Sequence, residues 1–382
     1  MSLAVAESLD IDQELERMFT VEESINNHIP RTIDPLMERM LRMGASDLHL
    51  AAKTPPWVSV HGATKMLGKK DISGIFLAKV LEELAGPAQW NKFKRRKRLD
   101  FSYAMPQARF RAHYSIAGGW PHAVFRAIPN TVPDFGDLGL PDIIRTFPSA
   151  QQGLYIFCGV TGSGKSTMQA SLLKEKKEMD AHKIITIEEP VEYLHSHGKA
   201  MIIQREVGTD VDSFALGVED AMREAPDMIL VGEMRDSATV SAALSAASSG
   251  HLVFSTLHAE STADVPTRIL DGTPIGRVPE VRAQLARSLK GVVYQRLLPA
   301  IGGGQRVAAT EVMLMNPAIS NMIRNNDLDG IAGQLSDRES GSIPFEVSLA
   351  NLVLDGKIME STAVRAELRK DSVREQMKAG RR

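Results

Sequence analysis

The sequence predicts an α/β protein in two parts, a smaller α+β domain followed by a larger domain built around a parallel sheet. Three observations lead to this prediction. After Gln151, short apolar runs alternate with helical segments, which is typical of parallel strands buried on both faces. A glycine-rich turn joins the first of those runs to a helix. Before residue 129, short strands alternate apolar and polar residues, as antiparallel strands with one exposed face do.

The first third of the chain supplies the smaller domain. Residues 1–32 are acidic and form an N-terminal extension without a motif. Apolar residues at helical spacing predict a helix over residues 33–43, and Gly44 ends it. Residues 129–141 contain prolines and glycines and are predicted to be a linker, so the smaller domain spans residues 33–128. Its other predicted elements are strands at 47–50, 57–60, 101–103, 108–114 and 123–128, and a helix at 75–84.

Residues 142–382 supply the larger domain. Helices are predicted over residues 166–179 and 237–249. After the glycines at 302–304 we expect the chain to be mainly helical, and the charged tail at 369–382 is expected to be disordered. The predicted buried strands are residues 154–158, 183–187, 228–231 and 252–256.

One loop carries the clearest chemical signal. Residues 159–167 match the pattern G-x-x-x-x-G-K-[ST] in full and lie between a strand and a helix, as that motif requires. Its glycines let backbone N–H groups turn toward phosphate oxygens. Lys165 would reach the β- and γ-phosphates, and the Ser166 hydroxyl would ligate Mg²⁺. The pattern predicts a nucleoside triphosphate site with these binding residues: Gly159, Thr161, Gly162, Ser163, Gly164, Lys165, Ser166 and Thr167.

Ionisable side chains follow the predicted strands at their carboxyl ends, where open α/β sheets bind ligands. Glu188 and Glu192 follow the second strand, Glu233 follows the third, and His258 follows the fourth. Because hydrolysis needs a carboxylate to activate water, we predict that Glu233 is that base and Glu192 a second essential carboxylate. Glu188 or Glu192 would order Mg²⁺-bound water. An ion pair with Arg235 is the alternative for Glu233, and His258 senses the γ-phosphate, braces a carboxylate or is structural.

Three arginines lie on predicted strands of the smaller domain. Arg109 and Arg111 are two residues apart and therefore face the same way. Nucleotide hydrolysis gains much of its rate from an arginine near the γ-phosphate. We predict that Arg111 and Arg126 supply this charge, from the same or a neighbouring subunit. The alternative is that they are ordinary exposed arginines of a half-solvated sheet.

Composition argues against several other classes of protein. The net charge of −2 creates no global field that favours nucleic acid or an anionic membrane. No apolar run approaches the roughly 20 residues that span a bilayer. Residues 1–12 lack the features of a signal peptide, so a cytoplasmic location is predicted. The single cysteine, Cys158, excludes an intramolecular disulfide or a cysteine-based zinc site.

Taken in order, the motifs resemble those of the secretion-and-pilus traffic ATPases, in particular their PilT-like branch. The resemblance covers roughly residues 33–353. Besides the phosphate loop, it rests on residues 45–49, 184–193, 204–208, 225–236, 249–258 and 295–299.

The resemblance implies a PAS-like N-terminal domain and a RecA-like C-terminal domain, assembled as a ring of six with ATP and Mg²⁺ at subunit boundaries. It implies that Glu233 is the catalytic glutamate, Glu192 the acidic-box carboxylate and His258 the second histidine of the histidine box. Arg111 and Arg126 match the arginines that the family's small domain points at the nucleotide.

Some residues depart from the family pattern. Glu189 stands where an aspartate is usual, and Ser320 stands where the retraction motif of PilT proteins has an arginine. The paired-cysteine zinc insert of pilus-extension and type II secretion members is absent. The N-terminal extension is longer than a plain PilT protein needs, which keeps a DotB- or TraJ-like ATPase of type IV secretion or conjugation as a close alternative.

We therefore predict a hexameric ATPase motor that powers pilus retraction, type IV secretion or conjugative transfer. Its expected partner is an inner-membrane platform or secretion-apparatus protein, so it would associate peripherally with that machinery. A RecA-like nucleic-acid translocase is one alternative, disfavoured by the neutral charge and the aromatic content of 5%. A nucleotide-dependent assembly scaffold with little turnover is another. Direct contact with nucleic acid is not expected.

Overall fold

The computed structural model describes residues 32–60, 63–128, 131–303, 306–337, 340–369 and 371–380. The chain divides into two compact units, residues 1–130 and 131–382. Nearly all of the predicted N-terminal extension, residues 1–31, lies outside the described residues. No helix within the described ranges has both the length and the apolar character that crossing a bilayer requires.

The smaller unit is an antiparallel sheet with two helices. Its elements in chain order are α1 (Asp34–Arg42), β1 (Asp47–Leu50), β2 (Trp57–Val60), β3 (Ala63–Met66), α2 (Gly74–Arg96), β4 (Leu99–Ala104), β5 (Arg109–Ala117) and β6 (Trp120–Ile128). The strands follow the order β3-β2-β1-β6-β5-β4, and every neighbouring pair is antiparallel.

The two faces of this sheet differ. One face is buried, where Phe110 and Phe125 pack with Leu81 of α2 in the core of the unit. Because side chains alternate along a strand, the next residues, Arg111 and Arg126, lie on the opposite face. That face is half-buried to exposed along β5 and β6.

The larger unit contains a seven-stranded sheet with helices on both faces. Its helices and strands in chain order are α3 (Asp142–Arg145), β7 (Gly153–Cys158), α4 (Lys165–Met179), β8 (Lys183–Glu188), β9 (Met201–Glu206), α5 (Phe214–Ala221), β10 (Met228–Val231), α6 (Ser237–Ser248), β11 (Leu252–Leu257), α7 (Asp264–Asp271), α8 (Val278–Ser288), β12 (Leu289–Pro299), β13 (Arg306–Leu314), α9 (Pro317–Asn325), α10 (Ile331–Gln334), α11 (Phe345–Leu354), α12 (Glu360–Ala366) and α13 (Ser372–Gly380).

The strands of this sheet follow the order β13-β12-β7-β11-β10-β8-β9. Six strands from β12 to β9 run parallel, and β13 is antiparallel at one edge.

Both faces of the parallel sheet are covered. On one face Ile156 packs in a cluster with Ala243 of α6. On the other face Phe157 and Phe254 pack with Leu172 of α4. Since the central strands are buried on both sides, the chemically active side chains of this unit lie where the strands end.

The structure corrects two predictions about element types and lengths. The chain after the glycines at 302–304 is not helical at first, because Arg306–Leu314 forms β13 and pairs along its whole length with β12. β13 is the second strand of a hairpin with β12, and its extended conformation depends on that pairing, which a local helical pattern does not reveal. The predicted helix at 75–84 is also too short, since α2 resumes after Gly86, whose φ is +72°, and continues to Arg96.

The two segments predicted to be irregular contain packed residues. Within the predicted linker, Phe135 and Leu140 are buried in a core cluster of the larger unit. The expectation of a disordered tail is wrong for residues 372–380, which form α13. Val373 and Met377 are one helical turn apart and buried, so this charged helix has an apolar face.

Candidate nucleotide-hydrolysis site

The phosphate loop connects β7 to α4, and all eight predicted binding residues lie in it or in the first helical turn. Gly162 and Gly164 have φ angles of +77° and +91°, which other residues adopt only with strain. The Ser163 N–H donates to the Val160 carbonyl at 3.2 Å, which closes the turn. The helix begins at Lys165, so Ser166 and Thr167 lie at its positive end.

Lys165 points back into the loop. Its Nζ donates to the carbonyl oxygens of Gly159 at 2.8 Å and Val160 at 3.0 Å. Burial lowers the pKa of the Lys165 ammonium, and the carboxylates of Glu233 and Glu192 act in the opposite direction. Both predicted catalytic carboxylates therefore lie close enough to Lys165, the predicted phosphate-binding residue, to act on its charge.

His258 links the loop to the predicted base. Its Nδ1 lies 3.1 Å from the Gly159 carbonyl oxygen, and its Nε2 lies 3.2 Å from Glu233 Oε1. This contact is possible because β7, β11 and β10 are neighbours in the sheet and end at the same edge. The sequence left three roles open for His258, and these distances match the one in which it supports a carboxylate.

Glu233 also makes the ion pair that the sequence offered as an alternative. Arg235 Nε donates to Glu233 Oε2 at 2.8 Å, and Arg235 NH1 donates to Glu189 Oε2 at 2.9 Å. The carboxylate of Glu233 thus has one oxygen toward His258 and the other toward Arg235. Glu233 therefore makes the ion pair with Arg235 and also lies near Lys165.

The acidic segment, residues 188–195 at the carboxyl end of β8, is attached to the rest of the unit at several points. Half-buried Glu188 accepts from Thr186 Oγ1 at 2.7 Å, and from the Glu192 N–H. Burial raises the pKa of Glu188, although these hydrogen bonds oppose the shift. Tyr193 OH lies 3.0 Å from Thr167 Oγ1, which joins the segment to α4.

Gln204 on β9 is a site residue that sequence reasoning did not single out. Its Nε2 donates to Glu188 Oε1 at 3.2 Å and to the Tyr193 carbonyl at 2.8 Å. Its Oε1 accepts from the His195 N–H at 2.8 Å. The only sequence signal was its place in the segment 204–208, and the contacts show that it fixes the course of the acidic segment.

Arg111 and Arg126 lie on the smaller unit. They are directly opposite each other on β5 and β6, so their side chains leave the same face of the sheet. Arg126 Nε donates to Asp47 Oδ1 at 2.8 Å, and its side chain remains 61% exposed.

Two further residues, Cys158 and His251, have structural surroundings rather than contacts with the loop side chains described above. Cys158 is fully buried, and burial raises the pKa of its thiol. His251, at the other end of β11 from His258, has its Nδ1 within 3.1 Å of the Ala246 carbonyl and 3.0 Å of Ser249 Oγ. It therefore closes the turn after α6, away from the loop.

Comparison with known proteins shows which family the chain belongs to. The family described as Type II/IV secretion system protein matches residues 122–330. The type IV pilus retraction ATPase PilT of Pseudomonas aeruginosa is 37% identical over 333 residues, which cover 87% of this chain and 96% of that protein. The twitching motility protein of Neisseria gonorrhoeae is 37% identical over 320 residues, 83% of this chain and 86% of that protein.

Solved structures share the fold. The pilus retraction motor PilT with bound ADP aligns with a TM-score of 0.81 and 36% identity, covering 91% of this chain and all of that one. The ATPase DotB of Legionella pneumophila aligns with a TM-score of 0.75 and 26% identity, covering 88% of this chain and 96% of that one. The predicted RecA-like core that follows a smaller α+β domain is confirmed.

The fold and the loop define a P-loop ATPase of the secretion and pilus-retraction class. The family model matches more than half of the residues of this chain, and relatives that are 37% identical to it align over most of its length. The chain belongs to the type II/IV secretion system protein family.

Proposed function

We propose that this chain is an oligomeric motor in which ATP hydrolysis at the phosphate loop drives domain movement that retracts a pilus. The observation that carries the hydrolytic part is the contact of His258 with both the Gly159 carbonyl and Glu233. This contact connects the backbone of the phosphate loop to a carboxylate suited to activating water.

In this proposal Glu233 is the general base, and His258 orients its carboxylate. Glu192 is the second essential carboxylate, because it acts on Lys165 from the segment that Tyr193 ties to α4. When nucleotide binds, Lys165 would exchange its hydrogen bonds to the two loop carbonyls for contacts with phosphate oxygens.

The donor set at the loop fits Mg²⁺. Ser166 offers a hydroxyl in the first turn of α4, and Glu188 or Glu192 offers carboxylate oxygen, the hard ligand type that Mg²⁺ prefers. The described residues contain no group of three or more His, Cys, Asp or Glu side chains that could hold a metal by themselves. This suits an ion held mainly by phosphate and water, with Ser166 as the protein ligand. When bound, Mg²⁺ neutralises charge on the β- and γ-phosphates.

The remaining parts of the site come from the smaller unit and from assembly. Arg111 and Arg126 are proposed to supply positive charge to the γ-phosphate, from the same or a neighbouring subunit of a six-membered ring. The exposed face on which they lie together supports this role. An inner-membrane platform of the pilus or secretion apparatus is the proposed partner, with the chain on its cytoplasmic side.

Pilus retraction is preferred over type IV secretion for a specific reason. Identity to the solved retraction motor is 36%, against 26% to DotB, at similar coverage of this chain. Ser320 in place of the expected arginine and the long N-terminal extension favour the second candidate, a DotB-like secretion ATPase.

Substitution Glu233→Gln tests the hydrolytic proposal. The amide keeps size and shape but cannot accept a proton, so kcat should fall by about 10²-fold or more while the dissociation constant for ATP stays within a few-fold. Steady-state ATPase assays and titration with a fluorescent ATP analogue measure the two quantities. Glu219→Gln, on an exposed position of α5, is the matched control and should behave as wild type.

Two outcomes would replace the proposal. Absence of ATP turnover in the assembled wild type would favour a nucleotide-dependent scaffold. Turnover that rises strongly on addition of single- or double-stranded DNA would favour a nucleic-acid translocase.

A further inference from the structure

We propose that Gln295 on β12 is a positioning residue that holds the phosphate loop in its curled form before nucleotide arrives. The proposal rests on nucleotide binding at that loop, and it adds a residue from a strand that carries none of the predicted catalytic groups. Gln295 is 4% exposed, so it acts on the loop from within the protein.

The side chain of Gln295 makes a short hydrogen bond to the loop. Its Nε2 donates to the Ser163 carbonyl oxygen at 2.6 Å, and the bond is buried. A carbonyl oxygen only accepts, so the amide must present its NH₂ group there. The other amide atom, Oε1, has no hydrogen-bond partner among the described residues. The contribution of the side chain to the loop is therefore this one donor.

The backbone and side chain of Gln295 also explain two of the loop glycines. Parallel pairing of β12 with β7 ends at Tyr294 and Cys158, so Gln295 lies beside the start of the loop. A Cβ on Gly159 would come 2.4 Å from the Gln295 carbonyl oxygen, and one on Gly164 would come 2.5 Å from Gln295 Nε2. Both ends of the loop thus lie against this one residue, and the backbone contact at Gly159 is at a distance that only glycine allows.

The bond matters because of what the loop must do. Its N–H groups converge on phosphate, which turns some of its carbonyls toward the protein interior, where each needs a donor. Without the Gln295 amide, the Ser163 carbonyl would be buried and unpaired, and the loop would relax toward conformations that hydrate it. Nucleotide would then have to order the loop on binding, at a cost in affinity.

The position of the strand suits this role. β12 lies between β7 and β13, and Gln295 is opposite Thr310 on β13, one residue beyond the last pair with β7, so β13 holds its backbone. A side chain on an interior strand is held more precisely than one on a loop. The next residue, Arg296, instead donates from Nη1 to the Ala366 carbonyl at 3.4 Å.

Substitution Gln295→Met tests the proposal in the full-length protein. Methionine has a similar length and no donor. We expect the dissociation constant for ADP, measured by calorimetry, to rise about tenfold, which corresponds to about 1.4 kcal/mol. Amide hydrogen exchange of loop peptides without nucleotide should be faster, while kcat at saturating ATP stays within threefold. Gln284→Met, the same change at a glutamine of α8 that donates to Glu280 on its own helix, should change none of these.

An unchanged ADP dissociation constant and unchanged loop exchange in Gln295→Met would overturn the proposal, as would a fall in kcat without loss of affinity. If Gln295→Met does not fold, Gln295→Asn takes its place, because its amide is one methylene too short to reach Ser163. Wild-type affinity in that variant would also overturn the proposal. Failure of the wild type to bind ADP at all would instead refute the nucleotide site itself.

Discussion

The two sheets of this chain present their reactive side chains in different ways. In the larger unit, the parallel strands are covered on both faces, and Glu233 and His258 lie just beyond strand ends. In the smaller unit, one face of the antiparallel sheet is buried, and Arg111 and Arg126 lie within strands on the other face, here called the open face, which is half-buried to exposed along β5 and β6. A buried parallel sheet thus confines chemistry to one edge, whereas a half-covered sheet offers a surface.

This difference has a consequence for what substitutions should do. Edge residues are held by neighbours: Glu233 by His258 and Arg235, and Glu188 by Gln204. Face residues are held less, since the Arg126 side chain is largely exposed although it pairs with Asp47. Edge substitutions should disturb geometry, while face substitutions should remove charge and leave the rest of the unit intact.

The largest expected effect comes from the open face. Arg111→Ala and Arg126→Ala should each lower kcat by about 10³-fold if they supply charge to the γ-phosphate, with little change in ADP affinity. Because Asp47 is buried and would lose the Arg126 guanidinium while keeping its hydrogen bond from Ser46, Arg126→Ala should also lower the free energy of unfolding by about 1–2 kcal/mol. Steady-state kinetics and thermal unfolding measure the two effects.

The exposed Arg42 on α1, with an i,i+4 ion pair to Glu38, is the matched control for these arginines. Arg42→Ala should keep wild-type kcat. If Arg111→Ala and Arg126→Ala also keep it, the open face has no part in hydrolysis and the smaller unit has some other task.

A smaller effect is expected at the edge of the parallel sheet, where two histidines flank β11. His258→Gln loses the link between the Gly159 carbonyl and Glu233, so the base is less well oriented and kcat should fall roughly ten- to a hundredfold. His251→Gln alters the opposite end of the same strand and should keep kcat within twofold. Equal losses in both variants would mean that histidine at these positions serves only folding.

The smallest effect is a pH dependence of the acidic segment. Burial lowers the pKa of His195 from 6.5 to about 4, and the nearby Lys177 adds to the shift. Between pH 4 and 6.5 the unfolded segment binds a proton that the folded one does not, so stability is lost as pH falls through this window. Hydrogen exchange of peptides from residues 189–206 should therefore accelerate relative to His195→Gln, by an amount equivalent to roughly 1–2 kcal/mol.

Peptides from β5 and β6 are the internal reference for that experiment, since His195 belongs to the other unit. The difference between wild type and His195→Gln should be absent there. A difference of the same size in both sets of peptides would show that the variant destabilises the whole chain rather than the acidic segment.

The site was predictable where a local pattern carries the chemistry. The phosphate loop is a contiguous motif, and the carboxylates follow apolar runs whose length marks them as buried parallel strands. Gln204 and Gln295 were not predictable as site residues, because a glutamine in a strand has no distinctive local signal. Their importance comes from which backbone groups they face across the sheet.

The fold divides in the same way. Strands with strong apolar runs, such as β7 and β11, were predicted to within a residue, whereas β13 was taken as helix because its conformation follows from pairing with β12. The tail helix α13 was missed for a related reason: its charged sequence hides the apolar face of Val373 and Met377, and Arg374 pairs with Glu360 from another element.

By itself, the sequence determined the α/β class, the nucleotide loop and the identity of the ionisable groups beyond the strands, because each depends on residues close together in the chain. Only the tertiary structure decided which groups meet. The contact of His258 with Gly159 and Glu233 follows from the order of β7, β11 and β10 in the sheet. The support of the loop by Gln295 spans 132 residues of sequence, a separation over which pairing is set by global packing rather than by local pattern.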